Sequence, residues 1–186
     1  MERNLSISWE DPVEGAARAA GMSGLEALRA MMAGELPPPP IALLLGIGPV
    51  EVDAGRVVFD AEPDERHLGG SAPYGRSAAY PRSTGLVHGG LAATLLDSAM
   101  GCAVQTTLPA SAAYTTLELK VNFTRPITRD TGRVLCMAEV VHRGGRVATA
   151  EGRVIAEESG KLLAHGTTTC LVLGREAGDR SGNGRG

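Results

Sequence analysis

Apolar and polar residues change their spacing twice along the chain. From about 89 to 107, apolar residues fill nearly every helical position: Leu91, Ala92, Leu95, Leu96, Ala99, Met100, Ala103 and Val104. A helix apolar on almost every side belongs inside a domain rather than on its surface. After Pro109 the period drops to two. Over 114–123, Leu117, Leu119, Val121 and Phe123 share one face, and Thr116, Glu118, Lys120 and Asn122 the other. That is the pattern of a half-buried strand. Two further strand patterns, 134–142 and 147–156, flank Arg143-Gly144-Gly145-Arg146, and a last one, 162–173, follows the turn Glu158-Ser159-Gly160-Lys161. Tight turns pair consecutive strands antiparallel.

Upstream the pattern is shorter. Ser23 and Glu26 have the spacing of a capping box, with Leu25, Leu28, Met31 and Met32 at helical intervals behind them. That helix stops before Pro37-Pro38-Pro39-Pro40, which cannot continue it. Residues 41–45 suggest another apolar turn. Short strands at 50–52 and 56–59 flank the turn Asp53-Ala54-Gly55. The pattern predicts one domain over 23–173, with a loosely attached arm at 1–22 and a polar, glycine-rich, disordered tail at 174–186. Its expected class is α+β: a curved antiparallel sheet wrapped around one long central helix and leading on from it as a meander. Residues 68–84 are rich in Gly, Ser, Ala and Pro and have no hydrophobic period. A structureless loop of that length is functional or disordered. We expect a lid or pocket wall; a solvated insertion is the alternative.

Composition narrows the classes. The 186 residues are 43% apolar but only 3% aromatic, so the core is built from Leu, Val, Ile, Ala and Met. The net charge of -3 comes without a basic block, which argues against a nucleic-acid partner. Three cysteines, Cys102, Cys136 and Cys170, lie in apolar runs without a CxxC spacing. They predict neither disulfides nor a metal site and fit a reducing cytoplasm. His67, His142 and His165 show no metal spacing either. The N-terminus lacks a signal pattern. The run 86–104 is long enough for a membrane span, but His88, Asp97, Ser98 and three glycines speak against one.

The chemistry concentrates in that same run. Asp97 is its one acid, and a charge rarely enters an apolar interior without a partner. It could be an interface or capping carboxylate, or a working one. His88-Gly89-Gly90 could be a plain loop-to-helix junction, or could open the helix N-terminus to a ligand. Backbone N–H groups there lack intrahelical partners and would stabilise a developing oxyanion. Gly90 and Asp97 share a helix face but stand roughly 10 Å apart along the axis. A base and an oxyanion hole serving one carbonyl must lie within a few ångströms of it. Two antiparallel copies of the helix would meet that requirement, so the spacing is compatible with a two-fold dimer.

The stretch Gly85-Leu-Val-His-Gly-Gly-Leu-Ala-Ala-Thr-Leu-Leu-Asp97 resembles the signature of the PaaI-like acyl-CoA thioesterases of the hotdog superfamily. Thr116-Leu-Glu-Leu-Lys-Val-Asn-Phe-Thr-Arg-Pro126 and Val141-His-Arg-Gly-Gly-Arg-Val-Ala-Thr-Ala150 resemble its next strand and hairpin, and the likeness covers roughly 40–173. The resemblance implies the hotdog fold, an acyl-CoA substrate, no cofactor or metal, and a homodimer or dimer-of-dimers homotetramer. It implies roles for individual residues as well. Asp97 matches the carboxylate that activates water or attacks the thioester. Gly89 matches the glycine whose N–H polarises the carbonyl from the other subunit, with His88 and Gly90 beside it. Thr116 matches a hydroxyl near the attacking water, with Thr115 as the alternative register. Arg143, Gly144 and Arg146 fall where the nucleotide end of coenzyme A is often met; a solvated hairpin turn is the other reading. Arg82 is a departure, standing where relatives carry Asn. That departure keeps a non-catalytic acyl-CoA-binding protein open as an alternative. A hotdog dehydratase fits less well, because its helix pattern of histidine plus acid is not found around Asp97.

Overall fold

The computed structural model describes residues 2–69 and 85–174. Arg82, nearly all of the 68–84 loop and the tail from 175 lie outside the described residues.

Three short helices precede the sheet. Helix α1, Pro12–Arg18, starts where the Asp11 side chain accepts the Val13 N–H at 2.8 Å and Pro12 fills the first turn. It buries no residue, so hydrophobic periodicity gave no sign of it inside the expected arm. Helix α2, Gly24–Met32, opens on the predicted capping box: the Ser23 N–H donates to Glu26 at 2.7 Å, and the Glu26 N–H to the Ser23 hydroxyl at 3.3 Å. Helix α3, Pro40–Leu45, follows the proline run and ends at Gly46, whose φ of 62° lies in the left-handed region that glycine tolerates.

Strands β1 (Ile47–Asp53), β2 (Arg56–Ala61), β3 (Ala113–Phe123), β4 (Val134–Arg143), β5 (Val147–Ala156) and β6 (Leu162–Leu173) form one antiparallel sheet in the order β1-β2-β4-β5-β6-β3. The run β4-β5-β6 is the predicted meander. Strand β3 departs from it, pairing with β6 at the far edge instead of with β4. Its connection to β4, residues 124–133, is too long for a tight hairpin and carries the chain back across the sheet.

Helix α4, Gly89–Gln105, lies against all six strands. Leu95, Leu96, Ala99, Met100, Ala103 and Val104 are fully buried on it. Each large one contributes about 1.5–3 kcal/mol of apolar burial. The burial is not all round, as the composition of the helix suggested. Ala93, Thr94, Asp97, Ser98 and Cys102 stay half-buried on one side. At its far end Gly24 of α2 packs so closely that a Cβ there would come 1.9 Å from the Gln105 carbonyl oxygen.

Candidate active site

Asp97 sits on the half-buried side of α4 and its side chain takes one hydrogen bond among the described residues. The Thr116 hydroxyl donates to its Oδ1 at 3.0 Å. Plain alternation along β3 sets Thr116 on the face opposite Leu119. A bulge between Thr116 and Glu118 inserts Leu117 as an extra residue and resets the phase. Thr116, opposite the buried Cys170, and Leu119, opposite the buried Thr168, therefore both face the helix, while Leu117 turns outward. Thr115 is exposed, and of the two threonines it is Thr116 that bonds Asp97. Oδ2 of Asp97 has no hydrogen-bond partner among the described residues.

Cys102 and Tyr114 both feel the charge of this carboxylate. Burial, with a smaller effect of the Asp97 charge, pushes the Cys102 thiol up to about 12. Burial also holds the Tyr114 phenol far above its ordinary value, with Cys102, Cys170 and Asp97 adding to it. Tyr114 lies two residues before Thr116, and its hydroxyl rests against Gly101, one helical turn beyond Asp97; a Cβ at Gly101 would meet that oxygen.

The second group forms the start of α4. His88 is the N-cap, and its Nδ1 accepts the Gly90 N–H at 2.9 Å. The Leu91 N–H is taken by the His88 carbonyl at 3.0 Å. The Gly89 N–H is left without an acceptor among the described residues, at the positive end of the helix dipole. Backbone bonds fix the approach to it. The His88 N–H donates to the His67 carbonyl at 2.7 Å, and the Val87 N–H to Ile127 at 3.0 Å. His67 is 5% exposed. Its Nδ1 accepts the Asp64 N–H at 3.0 Å, which leaves Nε2 to donate to the Leu45 carbonyl at 2.9 Å. The histidine thus joins the end of α3 to the segment that carries Gly89, a structural use that the absence of metal spacing left open.

The two groups do not meet within one chain. Gly89 and Asp97 are eight residue steps apart along the helix, roughly 12 Å at 1.5 Å per residue. Arg143, Gly144 and Arg146 are farther away, on the β4–β5 hairpin. There the Gly144 N–H closes the turn on the Val147 carbonyl at 2.8 Å, and an Arg143 nitrogen donates to the Gly144 carbonyl at 3.0 Å. Thr116, Cys170, Ala148 and Arg143 lie in one row across four strands, so Arg143 is about 14 Å from Thr116 at the usual strand spacing. Two features carried no sequence signal: the Tyr114–Gly101 contact, and a cavity of about 300 Å³ beside Gly89 that includes Phe123. No cluster of potential metal ligands occurs among the described residues, and no described helix is long and apolar enough to cross a membrane.

Comparison with known proteins fits this geometry. Residues 84–163, which span the start of α4 through β5, match the model of the Thioesterase superfamily. A protein of Halobacterium salinarum that carries an esterase name is 42% identical over 104 residues; the match covers 54% of this chain and 66% of that protein, just under two thirds of its length. The crystal structure of a phenylacetic acid degradation-related protein of Ralstonia eutropha JMP134 is 30% identical, with a TM-score of 0.63, over 77% of this chain and 98% of that one. The Escherichia coli PaaI protein, 19% identical, shares the fold with a TM-score of 0.63 over 84% of this chain and 97% of its own. With the sheet, the central helix and the glycine turn matched together, the chain belongs to the thioesterase superfamily and has its hotdog fold.

Proposed function

We propose that the protein hydrolyses an acyl-CoA to a carboxylic acid and coenzyme A, at two sites formed between the subunits of a two-fold dimer. The observation that carries this reading is the division of labour around Asp97. Thr116 holds Oδ1, and Oδ2, without a hydrogen-bond partner among the described residues, would take a water molecule. Asp97 takes a proton from that water as its oxygen attacks the thioester carbon. The carbonyl oxygen gains negative charge, which the Gly89 N–H of the other subunit stabilises. The tetrahedral intermediate then collapses, the carbon–sulfur bond breaks, and the thiolate leaves to be protonated as coenzyme A.

The dimer has its own support. Strand β3 is an eleven-residue edge with one side unpaired among the described residues, and Leu117 and Phe123 are exposed along it. Long open edges invite pairing with a second strand. Antiparallel pairing of two β3 strands would continue the sheet and bring two α4 helices together in opposite directions. Each Asp97 would then approach the partner's helix start. A dimer of such dimers, and Arg143, Gly144 and Arg146 as contacts for the nucleotide end, extend the same proposal. The cytoplasm, where acyl-CoA is at hand and unpaired thiols are kept reduced, is the proposed location.

A panel of acyl-CoA substrates assayed by trapping the released thiol tests the activity. Release that requires Asp97 supports hydrolysis. Tight acyl-CoA binding with no release would favour the non-catalytic alternative.

A further inference from the structure

The open N–H of Gly89 borders a cavity. Its volume is about 300 Å³, and Val87, Ala92, Phe123, Pro126, Ile127 and Leu163 contribute to its lining. Most of its wall is held by backbone bonds. The Val87 N–H is fixed on Ile127, and the Thr124 and Arg125 N–H groups converge on the Leu163 carbonyl at 2.8 and 3.1 Å. Arg125, at the rim, donates from its guanidinium to the Leu162 carbonyl at 2.8 Å.

Phe123 differs from the rest of the wall. It is one of two phenylalanines in the chain, stands at the end of the edge strand β3 and is 59% exposed. Its ring lies against Gly89 so closely that a Cβ on residue 89 would come 3.2 Å from two ring carbons. A side chain at 89 would therefore press on the ring, which would have to give by a few tenths of an ångström. A mostly apolar pocket with a few polar groups, here the Gly89 N–H with His88, Thr124 and Arg125, is the usual form of a small-molecule site, and this volume lies at the small end of such sites.

From this geometry we infer that the cavity receives the acyl group of the thioester, and that Phe123 sets the acyl length it accepts. The inference rests on the proposed hydrolysis, since it is the acyl carbonyl that the Gly89 N–H would polarise. The occupant is an uncharged apolar group of short to medium length or a single ring.

The test compares wild type with Phe123→Ala and Phe123→Trp on straight-chain acyl-CoA substrates from two to twelve carbons (~C2 to C12, spanning and exceeding the cavity). The same acyl groups are also assayed on N-acetylcysteamine. Phe123→Ala should raise kcat/KM for long chains relative to short ones at least tenfold, on both carriers, and Phe123→Trp should shift preference the other way. An unchanged chain-length ranking in both folded variants overturns the inference. So does a changed preference between the two carriers with the acyl ranking intact, because the cavity would then hold the pantetheine arm. If wild type turns over no thioester, the hydrolysis reading has failed by itself. Calorimetry with S-alkyl-CoA thioethers of graded length then decides: a length dependence of affinity that Phe123→Ala shifts keeps the acyl pocket, and one that it leaves unmoved overturns it.

Discussion

Thr116 and Asp97 meet across the helix–sheet interface, just before the bulge at Leu117. The hydroxyl of Thr116 reaches Oδ1 at 3.0 Å from the face of β3 that also carries Tyr114, and the bulge that follows keeps Leu119 on that face. A hydrogen bond to a charged group contributes about 1.5–3 kcal/mol. Removing it should leave the carboxylate free to rotate out of line with the attacking water. Thr116→Val is expected to lower kcat about ten- to hundredfold, with KM nearly unchanged, and Thr116→Ser to restore most of it. Steady-state kinetics on the best acyl-CoA decide this, and an equal loss in the serine variant would argue against the hydroxyl.

Asp97 itself should matter more. It is half-buried and has a single side-chain hydrogen-bond partner among the described residues, so its loss breaks no extensive network there. Asp97→Ala should stay folded, with a Tm near that of wild type. Turnover should fall by two or more orders of magnitude, the scale of losing a general base. Near-normal thiol release from this variant would sink the mechanism.

What the sequence made legible follows physical lines. Asp97 stands out because an acid in an apolar helix is costly, and the three strands β4, β5 and β6 because tight turns leave one pairing open to them. Ser23 and Glu26 announce a helix start through a hydrogen-bond pattern that needs only local residues. The position of β3 beyond β6 was hidden, since a longer connection does not specify which edge the strand joins. The bulge at Leu117 was hidden too, because Leu117 fits the alternation it breaks. Phe123 went unnoticed as a wall of the site because its neighbour, Gly89, lies 34 residues earlier and is brought close only by folding.

Shared sites can be tested with two inactive chains. Asp97→Ala removes the carboxylate, and Gly89→Pro removes the N–H at the start of α4, where proline's fixed φ suits a helix. If each site draws on both chains, a mixed dimer keeps one site with both native groups. Mixing under confirmed subunit exchange should then recover activity, up to about a quarter of the wild-type rate for random exchange of equal amounts (half the dimers, each with one of two sites). No recovery would mean that a single chain builds its own site.

The thiols give a prediction independent of catalysis. Burial pushes Cys136 up to about 12, against an ordinary value of 9.0. Cys170 is raised by burial as well. In the native protein these sulfurs stay protonated, so iodoacetamide at pH 8 should leave Cys136 unmodified and label it after unfolding. The sign for stability is fixed by the same shift. Below pH 9 both folded and unfolded states keep the proton, and the stability contribution is complete. Between pH 9 and 12 only the unfolded chain gives it up, so unfolding becomes more favourable as pH rises. A shift of that size corresponds to up to about 4 kcal/mol for a fully buried thiol. The Tm of wild type should therefore drop more steeply between pH 9 and 11 than that of Cys136→Ala, which starts lower but lacks this titration. Parallel slopes in the two proteins would show that the buried thiol does not govern the alkaline limit.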